Sequence, residues 1–307
     1  MIRDFRPADA EGVSAILHEE DPPHPVTPAG VLHWLTAPPE RARSRIWVAA
    51  DEKRIAGFAE ASLRWSTQKR GVVDVWAYVA PGARGRGLGS ALFVEAERHA
   101  REIGARTLDC WTYLPAGERF LEARGFRAEG GERLSRLELD TAVTTELGEL
   151  ERQKAAEGFR LARLGDVRDQ VAGLHRVYAD AAADIPEHFP EDDLRLEEWR
   201  RETLEHPQLS ADGSFVVLAA DVPAALAFVE VDEPASLAAN EMTGTLREFR
   251  RRGLARLAKL ATVRWAAEQG VKAILTANAE ENVGMVHLNE SLGYRRVLFQ
   301  AHYVRDE

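Results

Sequence analysis

Hydrophobic and polar positions run through the same succession of periods twice along this 307-residue chain. Each copy opens with a short strand, Ile2-Arg3-Asp4-Phe5 or Phe159-Arg160-Leu161-Ala162-Arg163, and an aspartate, Asp9 or Asp166, able to cap the next helix. Apolar strand pairs come next: Ile46 to Ala50 with Ile55 to Leu63, and Phe215 to Ala220 with Ala224 to Val231. Asp51-Glu52-Lys53 and Asp221-Val222-Pro223 supply the turns. A further strand, Val72 to Val79 or Glu241 to Leu246, leads into an arginine- and glycine-rich loop and then a helix. Leu88, Leu92, Ala96, Ala100 and Ile103 recur at helical spacing in the first copy, and Leu254, Ala258, Ala261 and Trp265 in the second. Gly104 and Gly270 are placed to end those helices, where a left-handed residue is wanted. Another strand (Thr107 to Thr112; Ala273 to Ala277) and a short helix closing on Gly125-Phe126 or Gly293-Tyr294 complete each copy.

Strands and helices mixed in this order, and repeated, predict an α/β chain of two tandem domains. The domains are expected at residues 1–140 and 158–307. The polar, Glu/Thr-rich segment 141–157 is the natural linker, with the boundary near residue 145.

Composition narrows the function classes. A hydrophobic content of 45% with 29% charged residues is that of a globular protein, and no apolar run approaches a membrane span. The opening residues are charged from Arg3 onward, so no signal peptide is expected and a cytoplasmic location is. The one cysteine, Cys110, lies in an apolar strand pattern and reads as a buried core residue rather than a catalytic thiol. Net charge is -10. Residues 1–140 hold 20 Lys+Arg against 21 Asp+Glu and residues 141–307 hold 20 against 29, so the second half is the acidic one. An acidic domain without basic stripes argues against nucleic acid as the partner and for a cationic or neutral substrate. The nine histidines show no metal-ligand spacing, so no metal is expected.

The chemistry centres on the repeated loop, Arg84-Gly85-Arg86-Gly87-Leu88-Gly89-Ser90 and Arg250-Arg251-Arg252-Gly253-Leu254-Ala255. Small residues at a helix start let backbone N–H groups close on a phosphate, and arginines beside them suit the same ligand. Neither copy has the Lys-Ser/Thr of a Walker A loop. Counting from Gly85, the sixth position is Ser90, so a Gly-x-Gly-x-x-Gly dinucleotide fingerprint is missing too.

The remaining pattern, Arg-x-x-Gly-x-Gly/Ala between a strand and a helix and followed by the terminal Gly-Phe/Tyr, resembles the GNAT acetyltransferase superfamily in both copies. Thr276-Ala277-Asn278 with Asn282, Met285 and Leu288-Asn289 is similar to the tandem GNAT proteins of actinobacteria, the group that includes mycothiol synthase. The resemblance implies a twisted, mainly antiparallel mixed sheet flanked by helices in each domain, splayed to admit acetyl-CoA as cosubstrate. It implies that the loop amides Arg84 to Ser90 and Arg250 to Ala255 hold the pyrophosphate. The strand ends at Val79 and at Thr245-Leu246 would pair with the pantetheine, and Asn282 would touch the cofactor.

The copies differ in what chemistry they offer. By the two-residue strand period, Ala239, Glu241, Thr243 and Thr245 share a face. A carboxylate on this strand often acts as base in the superfamily, usually at the position of Ala239, so the resemblance makes Glu241, two residues along the same face, the candidate base. Its alternative is an edge-strand carboxylate paired with an arginine. The corresponding face of the first copy carries Val73, Val75, Ala77 and Val79, with Asp74 pointing the other way. The superfamily's usual acid, a tyrosine four residues before the Gly-Phe, is replaced by Asn289 in the second copy and Leu121 in the first. Asn289 is thus a candidate catalytic residue or a helix-end hydrogen-bonder. The segment Ile185 to His206, rich in Glu and Asp, would frame the acceptor, or simply present a solvated face.

These features point to an N-acetyltransferase acting on a small-molecule amine, as a monomer or homodimer, with the second copy catalytic. A non-catalytic acyl-CoA-binding module is the alternative. An aminoacyl transferase using charged tRNA fits less well with two CoA-type loops and no basic surface.

Overall fold

The computed structural model describes residues 1–20, 23–50, 54–139, 146–186 and 188–307. The expected turn at Asp51-Glu52-Lys53 and the expected boundary near residue 145 lie outside the described residues. The chain divides into two compact units, Met1–Glu132 with Phe299–Glu307, and Arg133–Leu298.

In the first unit, β1 (Ile2–Asp4), β2 (Arg45–Ala50), β3 (Ile55–Leu63) and β4 (Val72–Val79) run antiparallel in sequence order. β5 (Thr107–Thr112) then pairs parallel with β4, through Val72–Asp74 and Thr107–Asp109. Alternate residues of β2 enter separate cores. Trp47 packs with Leu92, Phe93 and Ala96 of α3 (Leu88–Glu102), and Val48 with residues of α1 (Ala10–His18) and α2 (Pro28–Thr36). Cys110 is buried on the α3 side, and burial raises its thiol pKa, which suits a core residue.

The second unit repeats the plan. β7 (Phe159–Arg163), β8 (Phe215–Ala219), β9 (Val222–Asp232) and β10 (Leu237–Thr245) are antiparallel, and β11 (Ala273–Ala279) pairs parallel with Leu237–Ala239 of β10. One face packs on α9 (Leu254–Glu268) and the other on α7 (Val171–Ala182), with Trp199 fully buried on the α7 side. Gly104 and Gly270 follow α3 and α9 at φ 90° and 77°, as the sequence predicts.

The domain limits are redrawn. The segment 141–157 is no simple linker: its described part forms α5 (Leu147–Ala156), and Leu147 enters the core of the second unit. The first unit stops at Glu132 and regains Phe299–Glu307 from the far end of the chain. That return is a strand: β12 (Arg295–Asp306) pairs antiparallel with β5 from Ala301↔Thr112 to Asp306↔Thr107. Backbone pairing of this kind needs no apolar signature, and His302–Asp109 (2.9 Å) and Thr107–Asp306 (3.1 Å) bonds add side-chain specificity.

Candidate active site

Each arginine-glycine loop is built by the same local device. In the second unit the Nε of Arg250 donates to the carbonyl of Thr245 at 3.0 Å, and in the first Arg84 does so to Val79 at 3.0 Å. The chain is thereby folded back over its own strand end. Gly87 (φ 79°) and Gly253 (φ 76°) then enter helices α3 and α9 from the left-handed region, which glycine reaches without strain. The first helical amides pointing out of each helix start are the anion-binding groups the loop pattern implies. The loops diverge one step earlier: Gly85 at φ 75° corresponds to Arg251, a non-glycine held at φ 62°.

The loop arginines take up different tasks. Arg250 bonds to Asp184 Oδ2 at 2.5 Å and to the Asp180 carbonyl at 3.3 Å, while Arg247 reaches Asp184 Oδ1 at 2.5 Å. Both hydrogen bonds, Arg247 first, hold the Asp184 carboxyl down at a pKa of about 2. Arg250 is therefore a brace for the loop. Arg84 plays the same part through buried Glu20, which also accepts from the Tyr113 hydroxyl at 2.7 Å. Arg252 lies 5.8 Å from the ring of Phe249 and 5.9 Å from that of Phe159. Arg251 is exposed and lines the cleft described next.

In the second unit β10 and β11 part company after Ala239 and Leu275, and a cleft of ≈ 520 Å³ opens between them. Glu241, Thr245, Arg250, Arg251, Gly253, Leu254, Ala255 and Asn282 all line it, together with Thr276, Asn278 and Lys259. The Asn282 side chain also caps α10 (Val283–Ser291) by accepting from Met285 N at 3.3 Å. Leu246 is buried in the α7-side core. The first unit gathers Val79 and Arg84 to Ser90 at the matching end of β4, where Ser90 Oγ accepts from Arg124 at 3.0 Å.

Glu241 owes its position to a β-bulge. β10 pairs with β9 as Asn240↔Val229 and then Met242↔Phe228, leaving Glu241 as the extra residue. The bulge corrects the simple two-residue period. Ala238 packs in the α9-side core and Met242 in the α7-side core, so the even positions change sides between them, and Ala239, Thr243 and Thr245 do not share one face. Glu241 turns toward α7, where its Oε1 accepts from the Tyr178 hydroxyl at 2.8 Å; its Oε2 is buried with no hydrogen-bond partner among the described residues. Its partner is thus a tyrosine rather than an arginine. Burial first, and then the nearby Glu230 carboxylate, push the Glu241 carboxyl up to about 8. In the first unit β3 and β4 pair in continuous register from Gly57↔Val79 to Leu63↔Val73. Asp74 there is bound to Arg64 at 2.5 Å beside Asp109, on the face opposite Val73 and Val75. Because the bulge turns Glu241 off the α9 side, the expected contrast in facing between the two carboxylates does not hold.

Around Glu241 the acidic segment is more than a solvated face. Glu202, on the irregular turn after α8 (Leu196–Trp199), is raised to about 8 by burial, and Glu230 to about 7 by the same cause. Glu191 and Glu202 both act on Glu241 through space. Arg200 pairs outward with Glu197 and Glu205. Glu187 lies outside the described residues.

Asn289 is placed behind the cleft. It is 3% exposed, accepts from Lys259 Nζ at 2.5 Å and donates to Asn278 Oδ1 at 2.6 Å. Sequence reasoning missed Lys259, on a helix read only for its apolar stripe, and Tyr178, on a helix whose faces the sequence reading did not assign. Among the described residues no group of His, Cys, Asp and Glu could hold a metal ion, and no helix is long and apolar enough to cross a membrane.

Comparison with known proteins fits this geometry. Over 97% of its length the chain is 29% identical to a mycothiol acetyltransferase of Thermobispora bispora, covering 97% of that protein. Its fold matches a tandem GNAT protein from the clavulanic acid biosynthesis pathway with a TM-score of 0.73 at 19% identity, over 100% of this chain and 98% of that one. A GCN5-related N-acetyltransferase from Sphaerobacter thermophilus matches with a TM-score of 0.66 at 17% identity, over 100% and 95%. Residues 11–126 and 174–294 each match the acetyltransferase (GNAT) family, so this chain belongs to that family as a tandem-domain N-acetyltransferase.

Proposed function

We propose that the second unit transfers the acetyl group of acetyl-CoA to the amine of a small, positively charged molecule, with Glu241 as general base. The observation that carries this reading is one cleft lined by the loop residues Arg250, Arg251 and Gly253 to Ala255 and by a bulge-borne carboxylate whose second oxygen is buried without a hydrogen-bond partner among the described residues. The first unit is then a cofactor-binding or structural partner. Use of acetyl-CoA fits a cytoplasmic protein.

The residues fit the cosubstrate. Free amides at the start of α9 and the exposed Arg251 suit a pyrophosphate. Beyond Ala239, β10 has an edge free of β11 that can pair with pantetheine amides in the manner of an added strand. Glu202 and Glu230, raised to about 8 and about 7, are only partly ionised at neutral pH, and an ammonium group entering beside Glu241 favours their charged forms and is held by them. Glu241 then takes the proton, and the neutral nitrogen attacks the thioester carbonyl. A base with a pKa near 8 is well matched to an amine at neutral pH.

The test is CoA release over a panel of small amines by the wild type and by Glu241→Gln. Turnover by the wild type, reduced roughly 100-fold or more in the variant with acetyl-CoA affinity kept, is the expected result. Acetyl-CoA binding with no thiol release from any amine would make the chain an acyl-CoA-binding module instead.

A further inference from the structure

The two units place opposite chemistry at three equivalent positions. α3 and α9 are of equal length and follow Gly87 and Gly253, so Phe93 and Lys259 occupy the same helical position. Leu121 and Asn289 both lie four residues before the closing glycine, and Phe126 and Tyr294 both follow it. In the first unit Phe93, Leu121 and Phe126 form one apolar cluster, with the Phe93 and Phe126 rings 5.9 Å apart. In the second unit the trio is polar. Lys259 Nζ donates to Asn289 Oδ1 at 2.5 Å and lies 4.9 Å from the centre of the Tyr294 ring. Asn289 in turn donates to Asn278, which lines the cleft with Lys259.

An ammonium group at 1% exposure is costly unless it serves a purpose, and the apolar trio of the first unit shows that the fold does not need it. Its position gives the purpose. Lys259 lines the cleft that Glu241 lines, and among the described residues no carboxylate neutralises it, burial alone lowering its pKa to about 7. The other groups near it are neutral, Asn289 from α10 and Tyr294 before β12, while Arg256 one turn earlier on α9 is tied to Glu146 and to Ser291.

We propose that Lys259 is the catalytic acid of the second unit, giving its proton to the sulfur of the departing CoA, with Asn289 as the positioning residue that aims it. This rests on the acetyl-transfer reading of the same cleft. In the step, the amine nitrogen bonds to the acetyl carbon, the carbon–sulfur bond breaks with its electron pair on sulfur, and Lys259 Nζ protonates that sulfur. The substrate ammonium's first proton passes through Glu241 to water before the attack, and Glu241 accepts the second, lost by the nitrogen as the amide forms. Exchange with water returns a proton to Lys259 and removes one from Glu241, leaving free thiol and amide as products.

Two measurements on Lys259→Met separate this role from a structural one. With CoA bound, the thiol should titrate about one unit or more lower in the wild type than in the variant, because an ammonium within reach favours the thiolate. In the CoA-release assay kcat should fall roughly 100-fold with little change in KM for acetyl-CoA, and the alkaline fall of kcat, which in the wild type begins near pH 8, should vanish, leaving a rate that still climbs through about 8. If Lys259→Met does not fold, Lys259→Phe with Asn289→Leu and Tyr294→Phe, copying the first unit, takes its place. A thiol that titrates alike in wild type and variant overturns the proposal whatever the turnover. So does a kcat within threefold of wild type. A wild type that binds CoA but turns over no amine counts against the acetyl-transfer reading, and the thiol titration still decides the placement of Lys259. A wild type that binds no CoA overturns both.

Discussion

The Tyr178 hydroxyl donates to Oε1 of Glu241 at 2.8 Å, and among the described residues the buried Oε2 has no hydrogen-bond partner. One oxygen is thus fixed by the protein and the other is left for a substrate proton. The bond also favours the charged form, opposing burial and the neighbouring Glu230, which together hold the carboxyl near pH 8. Through the carboxylate alone activity would climb up to about 8, and with the Lys259 ammonium, at about 7, needed as well, kcat should rise from the acid side to a maximum between about pH 7 and 8. In Glu241→Gln this limb of the kcat profile should disappear, and kcat should be lower by roughly 100-fold or more.

The same shift has a stability consequence. A carboxyl raised from 4.5 to about 8 binds more protons in the folded than in the unfolded chain between those values. Its contribution to stability is present below 4.5 and lost as pH rises through about 8. Glu241→Gln should then melt at or above the wild-type temperature at pH 9. A clear drop in melting temperature there would contradict the unpaired state of this carboxylate.

Tyr178→Phe removes the bond that favours the carboxylate. Turnover at pH 7 should fall by about tenfold or more, the scale of one hydrogen bond to a charged group, and the alkaline limb of the kcat profile should move to higher pH. Steady-state rates across pH 6 to 9 read this directly. An unmoved limb would separate Tyr178 from the base.

Asp184 holds Arg247 and Arg250 together beneath the loop. Asp184→Ala should raise KM for acetyl-CoA by roughly tenfold, because the loop loses its brace, and leave kcat nearly unchanged. The pair is partly exposed, so the stability loss should stay within about 1 kcal/mol.

Arg251 sits at φ 62° where the first loop has Gly85 at φ 75°. Arg251→Gly relieves that backbone while removing a side chain that lines the cleft. The expected outcome is an unchanged or higher melting temperature with CoA affinity weakened about tenfold. Unchanged affinity would assign the pyrophosphate to backbone amides alone.

Much of this was legible in the sequence because it is written locally. The doubled loop, the strand and helix around it, and Gly104 and Gly270 all announce themselves within a few residues. The bulge at Glu241 does not, since an extra residue in a ladder leaves no mark in composition, and it overturned the face assignment that rested on strict alternation. The exchange of Phe299–Glu307 was also hidden. β12 begins Arg295-Arg296 and ends Arg305-Asp306, a pattern that reads as surface until its pairing with β5 is seen. Lys259 was invisible for a third reason: a lysine between Ala258 and Leu260 looks like the polar face of a helix, and only packing shows it buried.

The most direct test of which unit does the chemistry is a matched pair of loop variants, Gly87→Glu and Gly253→Glu. The two glycines share nearly the same φ, 79° and 76°; a Cβ would meet nothing within 4 Å at Gly87 and only Lys154, at 3.6 Å, at Gly253. Each variant carries the same backbone strain and sets a carboxylate against one candidate pyrophosphate site. In the CoA-release assay Gly253→Glu should lose roughly 100-fold in kcat/KM, while Gly87→Glu should stay within about threefold of the wild type. Loss of turnover in Gly87→Glu with activity kept in Gly253→Glu would contradict a catalytic second unit.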